Sequence, residues 1–166
     1  NNHNDGDCPM STLKVDTIQG KTTASNVIMP TGHVLQVAHN ITHNASHIST
    51  TSTSLVSSGI SVSITPKASG NKILVEFFSG MVAQSSSDDM RPTLYIDGSQ
   101  ASGVGQFWGG YGSYAQQFHS ISGKYIYDTV DTNSHTFEVY FLATGGTGFI
   151  SHNSCSHGIT ATEIQG

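Results

Sequence analysis

A chain of 166 residues and 17.5 kDa is the size of one domain with an arm. Only 10% of its residues are charged, against roughly 25% in an ordinary soluble domain, and six Lys and Arg against eleven Asp and Glu leave a net charge of −5. It has no cluster of cations to displace counterions, no apolar run of about eighteen residues and no helical repeat rich in Glu, Lys and Leu, so nucleic-acid binders, membrane-spanning helices and helical bundles are excluded.

The charge deficit is uneven. Residues 22–66, 98–123 and 139–162 contain no Asp, Glu, Lys or Arg, while the whole chain carries 24 Ser, 18 Thr and 18 Gly. A monomer relies on mixed surface charge for solubility. Long neutral tracts interrupted by regularly spaced Val, Ile, Phe and Tyr therefore point to a surface partly buried against copies of the same chain.

In chain order, residues 1–9 (NNHNDGDCP) precede Met10-Ser11, which reads as a natural start. They have neither the basic nor the apolar region of a secretory signal, and they are left out of the fold reading. Two cysteines, Cys8 and Cys155, allow one disulfide or two free thiols, and free thiols are the expected state. From Ser11 to Gly32 the apolar residues are sparse: Leu13, Val15, Ile18, Val27 and Ile28 in a polar run ending at Pro30-Thr31-Gly32. Such a segment cannot build a core. Residues 1–32 are expected to be an extended attachment arm, docked through those five residues.

Residues 33–58 read as a Ser/Thr/His-rich connector or short stalk, with a strand candidate at 33–38. Within it, His39, His43 and His47 recur every fourth residue. That spacing shares a face in a helix or a strand, and three copies around an axis could offer three nitrogen ligands. The plainer reading is a polar connector, so no metal and no cofactor are expected. Asn40-Ile-Thr and Asn44-Ala-Ser match the N-glycosylation pattern without a secretory context, and the match is taken as accidental.

From residue 59 onward strict alternation dominates. Ile60, Val62 and Ile64 face one way and Ser61 and Ser63 the other. Ile73, Val75 and Phe77 oppose Leu74, Glu76 and Phe78. Phe137, Val139 and Phe141 alternate with Glu138 and Tyr140, and Ile159 and Ala161 with Thr160, Thr162 and Ile164. Further strands are expected at 93–97, 104–108, 118–128 and 147–151. Turn residues separate them, and Asp97-Gly98 is the strongest hairpin signal because both central positions of such a turn favour positive φ. The pattern predicts an all-β, jelly-roll-like antiparallel sandwich head over 59–166.

One loop stands out chemically. Residues 103–114 hold Phe107, Trp108, Tyr111 and Tyr114 among five glycines. Two readings stand: Phe107 and Trp108 plug an end of the sandwich, or the four rings form a contact loop that stacks on sugars. Catalysis has no comparable signal. No G-x-S-x-G elbow occurs, and the carboxylates lie scattered in turns or along strands rather than as a pair lining a cleft. An enzyme is not expected.

Four segments, MSTLKVDTIQGKTTASNVIMPTG (10–32) with GHVLQVAH (32–39), SSGISVSITPKASGNKILVEF (57–77), RPTLYIDGSQ (91–100) and HGITATEIQG (157–166), resemble small virion appendage proteins of marine bacteriophages, of the tail-fibre or fibre-like type. The resemblance implies a homotrimeric virion protein, on the tail or capsid exterior, attached to other virion proteins through the arm and facing outward with its head. A host-surface glycan is the implied ligand. Fibres that reach for a receptor are usually longer, so the shortness of 33–58 also admits a capsid-decorating or stabilising protein with no receptor role.

Overall fold

The computed structural model describes residues 31–84, 89–105, 112–113, 119–152 and 154–166. Eleven strands are formed by these residues: β1 (Val34–Thr42), β2 (Ile48–Thr50), β3 (Val56–Ile64), β4 (Lys72–Gln84), β5 (Asp89–Ile96), β6 (Ser99–Gln100), β7 (Gly112–Ser113), β8 (His119–Asp128), β9 (His135–Ala143), β10 (Gly148–Ser151) and β11 (His157–Ile164). Among the described residues there is no helix.

Two antiparallel sheets result. In the first, β1 pairs β11, β11 pairs β4, and β4 pairs β8 on its other edge; β10 takes over from β11 along the last residues of β4 and carries β2. The second runs β3-β9-β5, with β6 and β7 both on the free edge of β5. The long strands cross between sheets at each step of the chain, which gives the jelly-roll order β1-β11-β4-β8 over β3-β9-β5-β6. The fold class is all-β, as expected.

The alternation explains the core. Ile60, Val62 and Ile64 of β3, Phe137, Val139 and Phe141 of β9, Ile73, Val75 and Phe77 of β4, and Ile159 and Ala161 of β11 are all buried between the sheets. Each adds roughly 1.5–3 kcal/mol of transfer free energy if it is a large side chain. Their neighbours in sequence turn outward because the side-chain period of a strand is two.

Residues 33–58 differ from the expected connector. They hold β1, β2 and the start of β3. β1 is in register with β11 from Val34↔Ile164 to Thr42↔His157, and its Ala38 packs on the core. The polar composition of the tract misleads because β1 is an edge strand with a mostly exposed face. The strand expected at 104–108 is also absent where it can be seen, since Val104 and Gly105 lie in a turn with Gly105 at φ 63°; residues 106–108 fall outside the described residues.

The register defines two ends. At the near end lie Val34, Ile164, Lys72, Asp128, Ile64 and His135, and here the chain enters: Gly32 N donates to Gln165 O at 2.8 Å and Gln165 N to His33 O at 2.8 Å. Glu163, fully buried, ties this end together. It accepts from Gln36 Nε2 at 2.6 Å, Lys67 N at 2.7 Å and Asn71 Nδ2 at 2.6 Å. The Asp97-Gly98 turn joins β5 to β6 with φ of 50° and 78°, the expected two-residue hairpin. Asp97 also accepts from Thr136 N at 2.8 Å, and its other oxygen lies 2.7 Å from His135 Nδ1. His135 Nε2 is 3.2 Å from Asp131 Oδ1, and the Tyr127 ring packs on His135 at 5.0 Å. Burial, with Asp97 and Asp131 nearby, pushes the Tyr127 phenol above its ordinary range.

Candidate functional site

The far end is built from the opposite strand termini: Thr42 paired with His157, Gln84 with Gly148, Met90 with both Ala143 and Gly112, and Val82 with His119. Its described loops 43–47, 144–147 and 152–156 carry no Asp, Glu, Lys or Arg. Two of them are clamped together by backbone. Ala45 N donates to Cys155 O and Ser154 N to Ala45 O, both at 3.0 Å, while Gly80 N of β4 donates to Ser156 O at 2.6 Å. Asn44 and Ser154 take up positive φ, 52° and 61°, so each loop turns sharply and seats the small side chain of Ala45 inside.

This clamp presents a ring cluster. His47 stands 4.3 Å from the His152 ring and 5.3 Å from Phe149 of β10, and Phe149 and His152 are 5.6 Å apart. His43 Nδ1 lies 3.0 Å from Ser156 Oγ. Below the loops, Ser79 donates to Ile150 O, and buried His157 sits 3.0 Å through Nδ1 from Ser151 Oγ. Desolvation holds the His157 imidazole below its ordinary pKa, which favours its neutral form. Exposed imidazole edges beside an aromatic face can stack on an apolar ligand plane and hydrogen-bond its rim.

The three spaced histidines do not share a face. β1 ends at Thr42, so only His39 is on it, pointing out of the first sheet opposite Thr160. His43 and His47 belong to the loop, where the turn at Asn44 breaks the period. Among the described residues no three metal-ligating side chains converge. Cys155 is a free thiol.

Phe107, Trp108, Tyr111 and Tyr114 lie outside the described residues, as do Leu13, Val15, Ile18, Val27, Ile28 and Cys8. The roots of the aromatic loop are nevertheless fixed. Gly105 O accepts from Gln100 Nε2 at 2.8 Å and from the buried Thr93 hydroxyl on β5. Gly112 and Ser113 pair with Met90 and Asp89 at the far end, and β8 resumes there at His119. The loop thus springs from the β5 edge and returns at the far end. Phe149, His152 and Ser156 were not singled out from sequence; the Ser/His-rich stretch 151–157, which repeats the texture of 39–47, is the signal that marks His152 and Ser156, and Phe149 has only its place in the strand expected at 147–151.

No protein-family model and no curated protein matches the chain. Among solved structures it is similar to the tripod (BppUct-A-L) from the baseplate of bacteriophage Tuc2009, with 17% identity and a TM-score of 0.40 over 96% of this chain and 84% of that one. It is also similar to the EclA C-terminal domain, a sugar-binding protein, with 10% identity and a TM-score of 0.34 over 92% of this chain and 99% of that one.

Proposed function

We propose that the chain is a non-enzymatic phage virion protein, a short homotrimeric appendage on the tail or capsid exterior whose sandwich head contacts the host surface with its far end. One observation carries this reading: the chain enters at the near end, whereas the Gly112–Ser113 root of the aromatic loop and the His47–Phe149–His152 cluster lie at the other end. An attachment arm and a contact surface at opposite ends of one sandwich give the polarity an appendage needs. The loops 43–47, 144–147 and 152–156 are neutral and rich in rings and hydroxyls, and Asp89 at the start of β5 adds an acid at that end, which suits an uncharged glycan better than a phosphate. Weak contacts at each head would be raised by trimeric avidity.

The test has two arms. Immuno-electron microscopy of virions locates the protein, and a glycan array probes the full-length chain alongside Trp108→Ala and Phe149→Ala variants. Label on the particle with glycan binding lost in both variants is the expected result. Label on the capsid, with variants that change particle stability and leave adsorption intact, replaces host contact by a decorating role. An unlabelled particle overturns the virion assignment.

A further inference from the structure

The outer faces of the two sheets differ in kind. On the second sheet the outward residues are polar: Ser57 donates to Glu138, Ser63 Oγ lies 2.8 Å from Thr136 Oγ1, and Tyr95 stacks on Tyr140 at 3.8 Å. On the first sheet the register aligns outward side chains in rows across β1, β11, β4 and β8. One row runs Val37, Thr162, Leu74, Ile126 and another Ile41, Gly158, Phe78, Ser122, with the polar row His39, Thr160, Glu76, Lys124 between them and Val34 beside Ile164 at the near edge. Of the six large hydrophobic residues exposed among the described residues, five are on this face: Val34, Val37, Ile41, Phe78 and Ile126, each 36–59% exposed. Gly158 is what lets Ile41 and Phe78 meet; a Cβ there would stand 2.8 Å from Ile41 Cγ1 and 3.0 Å from Phe78 Cε1.

Charge says what covers the face. Its charged residues are Lys72 with Asp128 and Lys124 with Glu76, two ion pairs that cancel. The chain as a whole is at −5, so the excess negative charge lies elsewhere. Copies meeting through this face would bring no net like charge together. A strongly acidic or basic partner would find nothing to pair with. The β1 and β11 rows from Val34 to Ile41 and from Gly158 to Thr162 also fall inside the charge-free tracts 22–66 and 139–162.

We propose that the outer face of β1-β11-β4-β8 is the surface through which copies of this chain assemble, with the β1–β11 half nearest the symmetry axis; this rests on the homotrimer reading above. Exposed apolar rows on either side of an ion-paired one, on a face whose charges cancel, make the kind of patch that monomers rarely leave open. Closed rings bury such a face without leaving one exposed for fibre growth.

Light scattering of the full-length chain, with Val37→Lys, Ile126→Lys and, on the opposite sheet, Ser63→Lys, tests it. The wild type and Ser63→Lys should weigh about three times 17.5 kDa, and the two face variants should fall to a single chain while keeping their far-ultraviolet dichroism. Carbene footprinting of the wild type, which needs no variant to fold, should leave Val37 and Ile126 unlabelled. A trimer that survives both face substitutions and labels at these residues overturns the placement of the interface and leaves the trimer standing. A wild-type single chain overturns both, and if its face is nonetheless protected, the cover is the chain's own N-terminal residues.

Discussion

The two ends of the sandwich are held together differently. The near end is a net of charged and amide groups: Glu163 gathers three donors, Asp97 and Asp131 flank His135, and Thr129 exchanges backbone bonds with the 68–71 turn, N to Asn71 O at 3.0 Å and O from Gly70 N at 2.9 Å. The far end has neutral loops joined by a few backbone bonds and capped by rings that are partly in solvent. Dense, buried hydrogen bonding fixes a fold, whereas exposed rings on short clamped loops cost little to change. The difference separates the part of the molecule that specifies the structure from the part free to meet a partner.

Removing the Glu163 carboxylate should break that contrast most severely. Glu163→Ala leaves the Lys67 N–H and the Asn71 amide without their acceptor, while Gln36 keeps Thr65 O, and each buried donor so orphaned costs about 1–3 kcal/mol. A loss of about 3–5 kcal/mol is expected in urea or thermal unfolding. An effect below about 1 kcal/mol would mean that water replaces the carboxylate and that the near end is not anchored there. Asp97→Ala is next, at about 1–2 kcal/mol. It removes the Thr136 and His135 contacts and places an alanine at positive φ. Asp97→Asn keeps one acceptor and tolerates that φ, so it should recover much of the loss.

The alternation of β3, β4, β9 and β11 makes the core legible in the sequence alone, because a two-residue period with one buried face leaves a direct trace there. The Asp97-Gly98 turn was legible for a similarly local reason. The near-end net was not: Glu163 sits at an inward position of β11 and reads as a solvated acid until Gln36, Lys67 and Asn71, distant in sequence, converge on it. The strand candidate at 33–38 is the start of β1 (Val34–Thr42), but its place in the sheet was hidden because an edge strand carrying polar residues on its exposed face looks like a connector. The ring cluster escaped notice because His47 and His152 come from loops about a hundred residues apart, brought together by the pairing of β10 with β2.

The ends should also part company with pH. His157, beneath the far-end loops, has its pKa lowered from 6.5 by desolvation. The unfolded chain therefore binds the proton first, so stability is complete above about pH 6.5 and declines as pH falls through that value toward the lower folded pKa. Asp131 at the near end also has its pKa lowered, from 3.8, chiefly by the Asn133 backbone N–H. Its contribution is present above 3.8 and is lost only below it. Hydrogen exchange followed by mass spectrometry should show 151–158 loosening as pH falls below about 6.5 while 129–136 holds. His157→Gln, which cannot titrate, should abolish the far-end step. If both segments open together at one pH, the ends are a single cooperative unit.

The smallest effect on stability should come from the rings themselves, and it is the sharpest test of the contrast. His47 is exposed, and His152 and Phe149 are only part-buried. Truncating His47 to alanine removes edge contacts at 4.3 and 5.3 Å and leaves the Ala45–Cys155 backbone clamp in place, so unfolding should shift by no more than about 0.5–1 kcal/mol. Because the same rings face outward at the same end as the Gly112–Ser113 root of the aromatic loop, surface adsorption by His47→Ala should fall well beyond what that shift explains. A variant that unfolds early and still adsorbs would make the cluster a fold element like Glu163, and the far end would lose its claim to be the contact surface.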